Sequence, residues 1–131
     1  MKTENIVSKE IANELITQYR DKYIKSSYKP WCSSINCKNL PWCYYEELGI
    51  KIFGLDDLPK INIPLEKAVY CHDEVDDIMY QTTFGEVLKM ITNLEPWEGV
   101  DIEIFDESLD WTIAITHEEE VITYGVEIIP E

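Results

Sequence analysis

Two segments of the chain show the hydrophobic spacing of amphipathic helices. Over residues 6–24 the apolar positions recur at steps of four: Val7, Ile11, Leu15, Tyr19 and Tyr23. This spacing predicts a helix with one buried stripe. A second helix is predicted to begin after Thr83, because Thr83 and Glu86 form a capping box, and to run to about Asn93. Pro96 prevents its continuation.

The last third of the chain instead alternates apolar and polar residues, which predicts strands. The predicted strands are Val100–Phe105, Trp111–Thr116 and Val121–Ile129, the last with a bulge at Gly125. Their two short connections predict an antiparallel meander. Residues 50–53 are predicted as a further short strand, whereas residues 65–71 fit a strand or a helix equally well.

Together these elements predict a single α+β domain over residues 1–131. Its two main helices pack on one face of an antiparallel sheet that ends in a C-terminal three-stranded meander. The other face is expected to carry acids and threonines. Residues 72–77 are predicted as an exposed acidic loop. Residues 26–43 are predicted to be irregular, because proline disfavours helix interiors and heads both Pro30-Trp31-Cys32 and its near-repeat Pro41-Trp42-Cys43.

The charge of the chain is concentrated in its second half. Residues 1–67 carry ten Lys or Arg and nine Asp or Glu, whereas residues 68–131 carry one Lys and seventeen Asp or Glu. The net charge of −15 disfavours nucleic acid and anionic membranes as partners. It favours a basic protein partner, although a solvated face that only confers solubility fits the composition as well.

The acids of the predicted meander would lie on one face and in the adjoining turns. The predicted partner-binding residues are Asp101, Glu103, Asp106, Glu107, Asp110, Glu118, Glu119 and Glu120. The acids of the predicted loop form a second patch: Asp73, Glu74, Asp76 and Asp77. Clustered carboxylates of this kind attract a basic partner and raise its association rate.

We predict no catalytic residues, no cofactor and no metal site. The spacing of Cys32, Cys37 and Cys43, with Cys71 further on, lacks the close pairs typical of zinc sites, so buried thiols are favoured. A small metal-binding module built on these four cysteines remains one alternative. An enzyme that uses His117 with nearby carboxylates is another, and a compact surface around His117 would count against it.

Residues 110–118, following Asp101–Asp106, resemble the C-terminal hairpin of small bacterial immunity-type proteins of polymorphic toxin and contact-dependent inhibition systems. The resemblance covers roughly residues 97–127 and carries no residue-by-residue motif. It implies an immunity protein, which is not an enzyme. Because a carboxylate-rich face mimics the charge of nucleic acid, the hypothesis is that this protein neutralises a basic, nuclease-type toxin by occluding its active site. The N-terminal residues show no secretory signal and no apolar run of membrane-spanning length, so a cytoplasmic location is expected.

Overall fold

The structure is a computed structural model that describes residues 5–23 and 50–129. Its two α-helices are α1 (Lys9–Tyr23) and α2 (Phe84–Thr92). The six strands are β1 (Lys51–Gly54), β2 (Ala68–Asp73), β3 (Ile78–Thr83), β4 (Ile102–Phe105), β5 (Thr112–Ile115) and β6 (Glu120–Tyr124). A 3-10 helix (Leu55–Lys60) follows β1. The predicted α+β class and the C-terminal meander are confirmed.

The six strands form one antiparallel sheet in the order β1-β6-β5-β4-β2-β3. The meander of β4, β5 and β6 therefore lies in the middle of the sheet. On one side β1 pairs with β6, and on the other side β2 pairs with β4. Because both outer strands of the meander are paired, the backbone of β4 to β6 offers no free edge within the described residues.

Local sequence explains where several elements begin and end. The Thr83 side chain accepts a hydrogen bond from the backbone N–H of Glu86 at 3.3 Å and caps α2, as the capping box predicts. The strand β6 is shorter than the predicted Val121–Ile129, and Gly125 ends it instead of forming a bulge. Gly125 has a φ of +74°, and a Cβ atom there would lie 2.4 Å from the carbonyl oxygen of Asp110.

The region around β2 and β3 differs from the prediction. The ambiguous segment 65–71 contributes to a strand, β2, which extends to Asp73. The predicted loop 72–77 is therefore wrong at its first two residues, and the turn itself holds only Glu74 to Asp77. A strand that the sequence pattern did not predict, β3, follows at once. The predicted irregular segment 26–43 lies outside the described residues, and the single domain over residues 1–131 stays a prediction.

One face of the sheet, the α2 face, is apolar. Its buried side chains include Cys71 of β2, Ile102 and Ile104 of β4, and Ile113 and Ile115 of β5. The α2 residues Phe84 and Val87 pack on them, together with Leu58 of the 3-10 helix and Ile61 just after it. Burial of this apolar surface provides the main stabilisation on this side of the sheet.

The opposite face, the α1 face, is also covered, which corrects two predictions. Ile16, Tyr19 and Tyr23 of α1 pack against a cluster that includes Phe105, Ala114 and Ile122. Since successive strand residues point to opposite faces, the two helices lie on opposite sides of the sheet, not on one side. An open, solvated face is therefore ruled out for the described sheet: α1 packs on it, and its residues Glu103 and Thr112 are buried.

Candidate functional site

The strand register gathers several turns at one end of the sheet. Asp73 pairs with Ile102, and Ile102 pairs with Ile115, so the β2–β3 turn, the start of β4 and the β5–β6 turn lie together. Gly54 pairs with Glu120 and brings the start of the 3-10 helix to the same place. We call this end of the sheet the acidic end. Its exposed acids are Asp56, Asp76, Glu95, Glu98, Glu118 and Glu119.

Four of the twelve acids predicted to bind a partner are buried. Glu103 is 2% exposed, Glu74 5%, Asp101 6% and Asp106 9%. They do not belong to a solvent-accessible surface, because carboxylates this deep are surrounded by protein. The other eight are exposed or partly exposed: Asp73, Asp76, Asp77, Glu107, Asp110, Glu118, Glu119 and Glu120. A partner-binding role for these eight stays a prediction.

Asp106 orders the β4–β5 turn, at the other end of the sheet. Its carboxylate accepts hydrogen bonds from the backbone N–H of Ser108 at 3.0 Å and from the indole N–H of Trp111 at 2.9 Å. Lys67 lies 3.5 Å away. Burial opposes ionisation of Asp106, but hydrogen bonds from the Ser108 hydroxyl, the Trp111 indole and the Ser108 backbone outweigh it and lower its pKa. The role of Asp106 in the described structure is therefore to hold the turn.

A cleft of about 150 Å³ opens at the acidic end. Its apolar lining comes from several elements: Leu55, Ile91, Leu94, Pro96, Val100 and Ile115. Glu95, Glu98 and Glu119 also line it, and none of its described lining residues is Lys or Arg. Trp97, between two of these residues in sequence, is 81% exposed. The cleft thus combines an apolar interior with an acidic rim, and an exposed tryptophan lies between two of its lining residues in sequence.

His117 lies at this cleft and is held by Asp101. The His117 Nδ1 atom lies 3.0 Å and 3.1 Å from the two carboxylate oxygens of Asp101. The backbone N–H of His117 donates to the same carboxylate at 3.0 Å. The hydrogen bond to Asp101 and the charge of that carboxylate raise the pKa of His117. The pair can hold a proton at the cleft, as the enzyme alternative requires.

A second histidine–carboxylate group is buried beneath α1, and we call it the buried cluster. It consists of His72 of β2, Glu103 of β4, Glu74 and Asp77 of the β2–β3 turn, and Arg20 of α1. His72 Nδ1 lies 3.0 Å from Glu103 Oε2 and 3.8 Å from Glu74 Oε1. His72 Nε2 lies 3.1 Å from Asp77 Oδ1, and Arg20 lies 3.7 Å from Glu74 Oε2.

The two glutamates of the buried cluster resist ionisation. Burial, followed by the charge of Glu103, raises the pKa of Glu74 from 4.5 to about 9. Burial raises the pKa of Glu103 from 4.5 to about 7, against the opposing effects of its hydrogen bond with Glu74 and the charge of Arg20. Two carboxylates facing each other out of water are stable only with a proton or a cation between them.

The cysteines offer little support for a metal module in the described structure. Cys71 is fully buried on the α2 face, and burial strongly raises the pKa of its thiol. The described neighbours of Cys71 in this core are apolar side chains, which supply no further metal ligands. Cys32, Cys37 and Cys43 lie outside the described residues, and the module stays a prediction.

Comparison of the chain with known protein families, curated proteins and solved structures finds no match. Among the described helices, none has the length and apolar character needed to cross a membrane.

The sequence pattern did not single out the cleft or the buried cluster. Glu95 and Glu98 fall in the stretch from Met90 to Glu131 that contains no Lys or Arg, but they lie in a loop and not on a strand. One signal could have indicated the buried cluster: the apolar stripe of the first helix, which needs an apolar surface to pack on. Phe105 of β4 belongs to that surface. Glu103 lies two residues before Phe105 and therefore on the same face of the sheet, so it is covered with it.

Proposed function

We propose that this chain is an acidic binding protein that takes a basic protein partner at its acidic end. The most concrete form of the proposal is a cytoplasmic immunity protein that occludes the active site of a nuclease-type toxin. The observation that carries it is the acid-rimmed apolar cleft beside the exposed Trp97. Exposed aromatic residues next to apolar pockets are typical of binding hot spots.

The rim and the interior of the cleft would recognise different parts of a partner. The carboxylates of Glu95, Glu98 and Glu119 would face Lys or Arg side chains. The apolar lining and the Trp97 ring would receive an aliphatic or aromatic side chain of the same segment. A nuclease active site presents such basic residues, because it binds phosphates.

The basic residues of the described acidic end reinforce this choice of partner. Lys9 lies 3.1 Å from Asp77 and Arg20 lies 3.7 Å from Glu74, so each positive charge that contacts the β2–β3 turn is opposed by a neighbouring acid. The surrounding acids therefore give this end a net negative field. Such a field accelerates the approach of a basic partner and weakens as salt is added.

A defined peptide that alternates Arg and Leu tests the recognition step by amide chemical-shift mapping. We expect shifts around Trp97, His117 and Glu119, and at least ~10-fold weaker binding after Glu118→Lys and Glu119→Lys together. Glu66→Lys and Glu127→Lys together make the same change of net charge at two exposed positions away from the acidic end, so this double variant is the matched control and should change binding little. Equal loss in both variants would show that only net charge matters and would overturn the proposed site.

Bacterial survival tests the immunity role. A nuclease-type toxin domain encoded beside the gene for this chain is co-expressed with the parent protein or with the Glu118→Lys, Glu119→Lys variant. The parent should protect the cells and the variant should not. Absence of such a neighbouring gene, or protection by both proteins alike, would contradict the immunity role.

One observation favours the enzyme alternative as a second candidate: His117 does lie at a cleft and not on a compact surface. Among the described lining residues, Thr116 has the one hydroxyl that His117 could activate as a nucleophile. This hydroxyl accepts hydrogen bonds at 3.3 Å from the backbone N–H groups of Glu118 and Glu120, so it has a structural role in the turn. His117→Gln separates the two functions. A binding protein keeps its peptide affinity within about threefold in this variant, whereas an enzyme that uses His117 loses turnover by ~100-fold or more.

A further inference from the structure

Three side chains of the buried cluster bring atoms of metal-ligating types close together. One ligand atom from each of His72, Glu74 and Glu103 lies within 4.8 Å of the other two, and all three residues are buried. We propose that these three side chains bind one divalent transition-metal ion, most specifically Zn²⁺, beneath α1. This site is separate from the cleft at the acidic end, and the inference does not depend on the proposed function.

The spacing of the donor atoms suits zinc. Bonds of about 2.0–2.2 Å in tetrahedral geometry place two ligand atoms about 3.4 Å apart. The distances from His72 Nδ1 to the oxygens of Glu103 and Glu74 are 3.0 Å and 3.8 Å, on either side of that value. Adjustments of a few tenths of an ångström would therefore bring these two pairs to zinc distances, and the donor atoms of Glu74 and Glu103 lie within 4.8 Å of each other. Three protein ligands leave the fourth position to water.

The outer contacts of the cluster also match those of metal sites. Histidine ligands almost always present their second ring nitrogen to a carboxylate or a carbonyl, and Asp77 lies 3.1 Å from His72 Nε2. Glu74 directs Oε1 towards His72 and Oε2 towards Arg20, so one oxygen is available to a metal while Arg20 holds the other. Lys9 in turn contacts Asp77 at 3.1 Å. His72 and Glu74 are therefore each positioned by a contact farther out.

The donor types favour a first-row transition ion over magnesium or calcium. Imidazole nitrogen suits zinc, iron, nickel and copper, whereas magnesium and calcium prefer oxygen ligands alone. A divalent ion would also compensate the two buried carboxylates, which otherwise oppose each other. The ion would link β2, the β2–β3 turn and β4 on the side of the sheet covered by α1.

Calorimetric titration of the chelator-treated, reduced protein with Zn²⁺ tests the site. The parent should bind one more equivalent of Zn²⁺ than Glu103→Gln, which removes a ligand with little change of shape. Asp77→Asn should keep that equivalent but bind it about 10–100-fold more weakly, because Asp77 only positions His72. Cys71→Ala, which alters the adjacent residue on the opposite face, should bind like the parent.

Two further readouts separate this site from cysteine ligation and from misfolding. Co²⁺ bound at the proposed site should show visible absorption without the thiolate charge-transfer band that cysteine ligands produce. Circular dichroism checks that each variant is folded. If Glu103→Gln fails to fold, Asp77→Asn carries the test, since its side chain is 41% exposed. Equal zinc binding by the parent, Glu103→Gln and Asp77→Asn, or no binding by the folded parent, would overturn the proposal.

Discussion

The two faces of the sheet are both buried, yet they are built from different chemistry. On the α2 face, residues such as Ile102, Ile104 and Ile113 pack with Phe84 and Val87 of the helix. On the α1 face, apolar contacts stand beside buried polar groups: His72, Glu103 and Thr112. The α2 face can be stabilised by any close-packed apolar set, whereas the α1 face also needs specific partners for each polar atom.

The α1 face meets that requirement among the described residues. None of the buried side-chain nitrogen or oxygen atoms described there lacks a hydrogen-bond partner. Tyr19 illustrates the arrangement: its ring stacks on Phe105 with centroids 4.8 Å apart, and its hydroxyl lies 2.8 Å from the Thr112 hydroxyl. The difference between the faces teaches that polar residues alternating on a strand identify a face without showing whether solvent or a helix covers it.

The largest expected effect comes from the α2 face. Ile104→Ala removes a fully buried side chain and should lower the free energy of unfolding by about 2–5 kcal/mol, because the rigid surroundings leave a cavity. Ile52→Ala on the edge strand β1, where the parent side chain is mostly exposed, should change it by less than about 0.5 kcal/mol. Urea denaturation measures both, and similar losses would mean that the α2 face is not the main core.

Glu103→Gln probes the α1 face and, unlike Ile104→Ala, should raise the free energy of unfolding. The folded protein holds the Glu103 proton up to about pH 7, whereas the unfolded chain releases it near 4.5. The folded state therefore binds more protons in this range, and the stability of the metal-free parent falls as the pH rises through it. Glu74 should extend the decline towards pH 9.

In a chelator at pH 8, Glu103→Gln should consequently be more stable than the parent, by up to about 3 kcal/mol, since a tenfold change in proton affinity is worth about 1.4 kcal/mol. The gain should shrink at pH 5, where the parent keeps its proton. Urea denaturation at the two pH values measures the difference. A variant that is less stable than the parent at pH 8 would show that the ionised carboxylate is well compensated in the metal-free protein.

Thr112→Val tests the hydrogen bonds of the α1 face with the smallest expected effect. The substitution keeps the shape of the side chain but removes the hydroxyl that contacts Tyr19 and donates to the Ile104 carbonyl at 3.2 Å. We expect a loss of about 1–2 kcal/mol in the free energy of unfolding. A double-mutant cycle with Tyr19→Phe isolates the pair, and strictly additive losses would mean that the two hydroxyls do not interact.

The sequence predicted the periodic parts of this fold well. The stripe of residues 6–24 and the capping box at Thr83 locate both helices, and the alternation after Val100 locates the meander, because each pattern is local. The covering of the α1 face could not be predicted in the same way. It depends on which side of the sheet α1 packs, and that choice is made by tertiary contacts such as Tyr19 with Phe105.

The same reason separates the acids whose exposure was predicted correctly from those that were expected at the surface and are buried. Glu118 and Glu119 lie in a turn between strands, and turn residues are exposed in most folds, as they are here. Glu103 and Glu74 are buried because β2, the β2–β3 turn and β4 lie side by side beneath α1. That arrangement depends on the pairing of β2 with β4, which are separated by about thirty residues of chain. The cleft likewise joins residues 91–100 to the β5–β6 turn, which no local pattern records.

Nuclear magnetic resonance titration of the glutamate side-chain carboxyl carbons, in a chelator, tests the central claim most directly: that Glu74 and Glu103 are buried beneath α1 and do not form part of a docking surface. The account predicts two carboxyl transitions well above the ordinary value of 4.5, assigned by their loss in Glu74→Gln and Glu103→Gln. Titration of both groups near 4.5 would contradict it, since carboxylates that ionise normally would face solvent on an uncovered sheet.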